Sequence, residues 1–84
     1  MLSKNQKWYL EELLARDFDD TMYNLNMAID DYTGGYIGVD ELEPGLAELE
    51  ANVTCMRDIL GDSFARPYIA EYNKIHTSIY NKGW

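Results

Sequence analysis

The chain is poor in several residue types, and each shortage excludes a class of protein. Its 84 residues include 1 cysteine, 1 histidine and 2 prolines. The lone Cys55 excludes an internal disulfide and a cysteine-rich zinc site. No apolar run approaches the roughly 20 residues needed to cross a bilayer, and the N-terminal residues lack the apolar segment of a signal peptide. We therefore expect a cytoplasmic protein that does not engage membranes.

Positive charge is missing from the middle of the chain. The formal net charge is −8, yet residues 17–56 contain no lysine or arginine. Ten acidic residues lie in that stretch: Asp17, Asp19, Asp20, Asp30, Asp31, Asp40, Glu41, Glu43, Glu48 and Glu50. Such a field repels nucleic acid and attracts basic protein surfaces. The composition predicts a protein partner with a basic surface and no direct binding of nucleic acid.

Apolar residues recur at helical spacing, and no segment alternates with the period of a strand. The first stripe contains Leu10, Leu14, Phe18, Leu25, Ala28 and Tyr32, widened by Trp8, Leu13, Met22 and Ile29. The pattern predicts a single domain, 1–84, with helices at approximately 4–32, 41–60 and 64–81. Its fold class is all-α, a small antiparallel three-helix bundle with a long first helix.

The ends of these helices carry recognisable capping residues. Ser3 and Gln6 predict a capping box at the start of the first helix, and Asp40 and Glu43 predict another at the start of the second. The Asp17–Thr21 segment is rich in residues that favour caps over helix interiors, so a kink in the first helix is allowed there.

The second helix has a heptad seam, which is typical of a helix that packs along another helix. The seam residues are Leu42, Leu46, Leu49, Val53, Met56 and Leu60. The partner helix can belong to the same chain or to a second copy. A structural, self-associating subunit is therefore one alternative function, with a homo-oligomer as its form.

Residues 30–41 resemble the twelve-residue calcium loop of an EF-hand. Asp30 falls at position 1, Gly35 at position 6 and Glu41 at position 12, with the Tyr36 carbonyl at position 7. Positions 3 and 5 carry no Asp or Asn, which weakens the ligand set. A degenerate EF-hand-like module with weak calcium binding by Asp30, Tyr36 and Glu41 is the second alternative. The competing interpretation is a plain connection, in which glycine ends one helix and Asp40 caps the next.

No arrangement of residues indicates catalysis, so we expect no enzymatic activity and no cofactor. Neighbouring acids such as Asp19 and Asp20 point about 100° apart on a helix and do not form an acid–base pair. His76 and Cys55 belong to different helices. We expect Cys55 to be buried beside the seam and His76 to lie near the tyrosines of its own helix.

The main functional hypothesis is an inhibitor that blocks a basic, nucleic-acid-binding surface of a partner protein. Carboxylates would replace phosphates as partners of arginine and lysine. Small anti-defence proteins of phages and mobile elements are similar to this chain in size and charge. The candidate contacts are the ten acidic residues of 17–56, with Tyr36 as an aromatic anchor. The hypothesis requires those carboxylates to gather on one negative face, and we expect Tyr9, Tyr23 and Tyr36 to be partly exposed.

Overall fold

The first helix, α1 (Lys4–Thr33), is one unbroken element of 30 residues in the computed structural model, which describes residues 2–80. Its start is the predicted capping box. The backbone N–H of Gln6 donates to Ser3 Oγ at 3.1 Å, and the N–H of Ser3 donates to Gln6 Oε1 at 2.9 Å. The helix continues through Asp17–Thr21 because the acids there face solvent while Phe18 and Thr21 are buried.

Two glycines end α1 in a Schellman motif. The N–H of Tyr36 donates to the carbonyl of Asp31 at 2.9 Å, and the N–H of Gly35 donates to that of Tyr32 at 3.1 Å. Gly35 has φ +85°, a left-handed conformation that strains residues with a Cβ. The glycine pair therefore acts as the predicted helix stop.

The start of the second helix differs from the prediction. A 3₁₀ turn at Val39–Glu41 precedes α2 (Glu43–Cys55), whose N-cap is Leu42. Asp40 lies inside the turn, and no side chain caps α2, so the expected box of Asp40 and Glu43 was wrong. Burial of Leu42, which is fully enclosed, is worth about 2 kcal/mol against about 1 kcal/mol for a cap.

The end of α2 leads into the third helix through a single glycine. The chain continues from α2 as a π-helical segment, Met56–Leu60, and Gly61 then turns with φ +98°. The third helix, α3 (Asp62–Tyr80), begins at Asp62 rather than at residue 64. Its predicted end, residue 81, lies outside the described residues.

The core forms around α2, which packs against both α1 and α3. Every residue of the heptad seam is buried: Leu42, Leu46, Leu49, Val53, Met56 and Leu60. Phe18 and Leu25 from α1 and Ala65 and Ile79 from α3 complete it. The predicted three-helix bundle with a long first helix is confirmed. The seam is used inside one chain, so the self-association alternative loses the surface on which it was based.

Two residues lie outside the core although the sequence pattern had placed them inside it. Trp8 is exposed because it points about 90° around α1 from the direction of Phe18 and Leu25, in a stretch where residues 2–9 are all exposed. Cys55 is exposed because it lies on the flank of α2, beside the seam residues Val53 and Met56. Within residues 2–80, no helix is both long enough and apolar enough to cross a bilayer.

Candidate protein-interaction surface

The ten central carboxylates are all exposed, as is Tyr36, whose side chain is 83% accessible. Across residues 2–80, none of these carboxylates forms an ion pair with lysine or arginine. The ion pair in that range joins Arg57 Nε to Asp58 Oδ1 at 3.5 Å. The negative charge of the middle of the chain is therefore uncompensated at the surface.

A groove of 480 Å³ between α1 and α2 brings three of the carboxylates together. Asp17 and Asp20 come from α1, and Glu48 comes from α2. Asp17 and Asp20 are three residues apart, a spacing that places both on one side of a helix. The other lining residues are Leu14, Thr21, Asn24, Ala51, Asn52 and Cys55. This set is the carboxylate groove.

Glycine keeps the two helices close beside this groove. A Cβ added to Gly45 of α2 would lie 3.0 Å from Leu25 Cδ1 of α1. This close contact between Gly45 and Leu25 positions α1 against α2, and Glu48 of α2 therefore lies across the groove from Asp17 and Asp20 of α1. The Thr21 hydroxyl donates to Glu48 Oε1 at 3.4 Å, a long bond from the floor of the groove to its rim.

Asn52, a lining residue of the groove, links α2 to α1. Its Nδ2 donates to the carbonyl of Leu14 at 3.2 Å, which ties α2 to α1 across the lining. Its Oδ1 is buried and has no hydrogen-bond partner, the sole side-chain atom of that kind in residues 2–80. An unsatisfied buried acceptor costs about 1–3 kcal/mol.

The other carboxylates do not join this groove, so the expectation of one negative face was wrong, and the blocking hypothesis keeps a shared surface of only three carboxylates. Glu50 points toward α3, where it accepts a 2.7 Å hydrogen bond from the Tyr72 hydroxyl. Glu43 precedes Glu50 by seven residues and lies on the same side of α2. Asp19 lies about 160° around α1 from Asp17. Because successive residues of a helix point about 100° apart, acids that are close in sequence lie on different sides of the helix.

Glu50 and Tyr72 form a polar pair between α2 and α3. Burial, the hydrogen bond to Glu50 and the negative charge of Glu50 together raise the pKa of Tyr72 from 10.0 to about 12. His76 stacks at a tilt between Tyr72 and Tyr80, with ring centroids 5.8 Å and 4.7 Å away. This confirms the predicted position of His76 beside the tyrosines of its helix.

The remaining candidate residues lie around the connection at the far end of α1. Asp30 and Asp31 occupy its last turn, Asp40 and Glu41 occupy the 3₁₀ turn, and the exposed Tyr36 lies in the connection, with its ring beside Gly34. They border the loop rather than the carboxylate groove.

This connection does not have the backbone of a calcium loop. Positions 1 to 4 of the EF-hand-like loop, residues 30–33, are still helical, and the Schellman motif follows at once. An EF-hand loop instead turns its early positions around the ion. Within residues 2–80, no three His, Cys, Asp or Glu side chains are placed to hold a metal ion.

The sequence interpretation missed a second exposed feature, an apolar flank near the start of α1. Tyr9 is 61% exposed, as expected for a partly exposed tyrosine, but its neighbours Leu2 and Leu10 line an open space with it. The available signal was the phase of the apolar residues in the first turns, which does not match the phase of Phe18 and Leu25. Comparisons with protein-family models, with curated proteins and with solved structures each found no match.

Proposed function

We propose that this chain is a small acidic interaction module that binds a basic protein surface through the carboxylate groove. Its proposed effect is inhibition. The arginine and lysine side chains that form the partner's nucleic-acid site would insert into the carboxylate groove, and nucleic acid could then no longer bind them. The observation that carries the proposal is that Asp17, Asp20 and Glu48 line one groove from two helices, and none of them forms an ion pair with a lysine or arginine of residues 2–80.

The chemistry of the groove favours a cationic guest. Three carboxylates line the groove from two helices, and an entering guanidinium or ammonium group can donate charge-assisted hydrogen bonds to them. The open shape admits a side chain from a neighbouring surface. The net charge of −8 accelerates the encounter with a basic partner and repels free nucleic acid.

The carboxylates around the end of α1 supply a second contact in this proposal. Asp31 and Glu41 lie before and after Tyr36 in the chain, and the exposed ring of Tyr36 provides contact area of the kind that anchors interfaces. These groups act at the rim, where charges change the association rate more than the final affinity. The carboxylate groove then determines the position of the partner.

The first test is capture of partners from a lysate with matched variants. The groove variant carries Asp17→Asn, Asp20→Asn and Glu48→Gln. The control variant carries Asp19→Asn, Glu43→Gln and Glu71→Gln, which removes the same charge at exposed positions outside the groove and away from the end of α1. We expect partners to bind the wild type and the control variant, to elute at about 0.5 M salt, where screening is strong, and to be lost from the groove variant.

A second readout locates and defines the effect. Cys55 is the single cysteine, is exposed and lines the groove, so a bound partner should slow its alkylation. The captured protein should also lose its binding to nucleic acid when this chain is added. Capture that is indifferent to the groove variant, or that leaves Cys55 equally reactive, contradicts the proposal.

A further inference from the structure

The first turns of α1 carry apolar side chains that face away from the core. Phe18 and Leu25 define the direction from α1 to the core. At 100° per residue, Tyr9 and Leu13 lie about 170° and 130° from that direction. The charged Lys7 lies within about 10° of it and lines the space beside Ile59 and Leu60 of the π-helical segment. The apolar flank is therefore not an extension of the core stripe.

This flank forms an open trough of 430 Å³. Its lining residues are Leu2, Asn5, Gln6, Tyr9 and Leu10. Tyr9 and Leu2 are 61% and 37% exposed. No side chain in residues 2–80 covers Tyr9, although Tyr and Leu at a helix surface are typical residues for contact with a partner. We call this surface the apolar trough.

The apolar trough and the carboxylate groove lie on the same side of α1. By helical phase, the trough residues Tyr9 and Leu10 point at about 180° and 280° around α1 from Phe18, and Asp17 and Asp20 point between them, at about 260° and 200°. Along the axis, about 12 Å separates Tyr9 from Asp17. Trp8, although adjacent to Tyr9 and equally exposed at 62%, lies on the opposite flank.

Charge determines which occupant fits both parts. The carboxylates exclude an acidic partner, and a second copy would bring another net charge of −8 to the same side. A helix that lies along α1 rises by the same 1.5 Å per residue. Tyr9 and Asp17 are eight residues apart. A partner helix whose apolar and basic residues are also about eight residues apart would therefore contact the trough and the aspartates at the same time.

We propose that the apolar trough and the carboxylate groove form one docking site for a basic amphipathic helix of the partner. The inference rests on the proposed function and specifies the partner element. This helix presents an apolar pair to Tyr9 and Leu10. About two turns away, it presents a lysine or arginine pair to Asp17, Asp20 and Glu48. Arg16 is the one base in residues 8–56. It lies about 40° around α1 from Asp20 and about 100° from Asp17, so its positive charge favours approach of the partner's cations from the side of Asp17.

The test uses the full chain and two labelled alanine-based helical peptides. One carries a leucine pair and, two turns further, an arginine pair; the other has the arginine pair alone. We expect the leucine pair to tighten binding about tenfold. Tyr9→Ala should abolish that gain, and Trp8→Ala, a change of similar size and exposure on the other flank, should leave it intact.

The outcomes separate this inference from the function on which it rests. If both peptides bind equally and depend only on the carboxylate groove, the docking site for a helix is overturned and the proposed function stands. If neither peptide responds to the groove variant, both fail. Sedimentation of a wild-type dimer that Tyr9→Ala dissociates would assign the trough to a second copy and also overturn the inference.

Discussion

The hydroxyl of Tyr72 donates a 2.7 Å hydrogen bond to Glu50 Oε2 and joins α3 to α2 at the surface. This short bond holds Glu50 in the bundle, whereas Glu48, on the other side of α2, accepts the long 3.4 Å bond from the Thr21 hydroxyl. Acids that are neighbours in sequence thus have different roles. Glu48 is open to a guest, and Glu50 stabilises the bundle.

Replacement of Tyr72 by Phe should lower the free energy of unfolding at pH 7 by about 1 kcal/mol, since it removes one hydrogen bond to a charged acceptor. Tyr23→Phe removes a hydroxyl from an exposed ring and should change the stability by less than about 0.5 kcal/mol. Urea unfolding of the two variants measures the difference. Equal losses would show that the bond contributes nothing.

The same pair predicts a dependence on alkaline pH. The pKa of Tyr72 is raised in the folded state to about 12 from 10.0, so the folded protein binds this proton more tightly than the unfolded chain. The stabilisation is therefore complete below pH 10 and is lost as the pH rises toward 12. The stability difference between the wild type and Tyr72→Phe should shrink over that window. A constant difference would contradict the shift.

The Schellman motif predicts different costs for the two glycines at the end of α1. Gly35→Ala must adopt φ +85° and should lose about 1 kcal/mol. Gly34 has φ −77°, and a Cβ there would lie 2.9 Å from Cε2 of the exposed Tyr36 ring, which can swing aside. Gly34→Ala should therefore cost less. Thermal unfolding of the pair tests the motif, and the reverse order would exclude it.

The buried seam predicts that core substitutions unfold the monomer rather than split an oligomer. Leu49→Ala removes a fully buried side chain and should cost about 2–5 kcal/mol. Met27→Ala, at a position that is 56% exposed, serves as the control, with an expected loss of less than about 1 kcal/mol. Unfolding should be independent of protein concentration. A midpoint that rises with concentration would restore the self-association alternative.

Calcium should not stabilise the fold specifically. The helical backbone of residues 30–33 leaves Asp30, Tyr36 and Glu41 without a common ion site. Melting temperatures in millimolar calcium and in equal magnesium should therefore agree, since both ions screen the acidic surface alike. A rise that only calcium produces, and that Glu41→Gln removes, would support an EF-hand-like site.

Much of the fold was predictable from local physical chemistry. The Ser3–Gln6 box, the glycine stop at Gly35 and the heptad seam from Leu42 each depend on a short pattern whose geometry is fixed by helix periodicity. The start of α2 was mispredicted because burial of Leu42 competes with a polar cap at Asp40, and a sequence pattern does not rank these two contributions.

The candidate surface was less predictable. The density of acids near Asp17 and Glu48 is visible in the sequence, but their convergence depends on how α1 packs against α2 through Leu25 and Gly45. The separation of Glu50 depends on α3, which supplies Tyr72. Tertiary packing therefore determined which acids share a groove.

The central claim is that the carboxylate groove, rather than total charge, recognises a basic partner. The most direct measurement is the affinity of an arginine-rich helical peptide for the wild type, for Asp17→Asn/Asp20→Asn/Glu48→Gln and for Asp19→Asn/Glu43→Gln/Glu71→Gln, which removes the same charge elsewhere. We predict a loss of about tenfold or more for the groove variant and about twofold or less for the control. Equal losses in the two variants would contradict the claim and leave only a general electrostatic attraction.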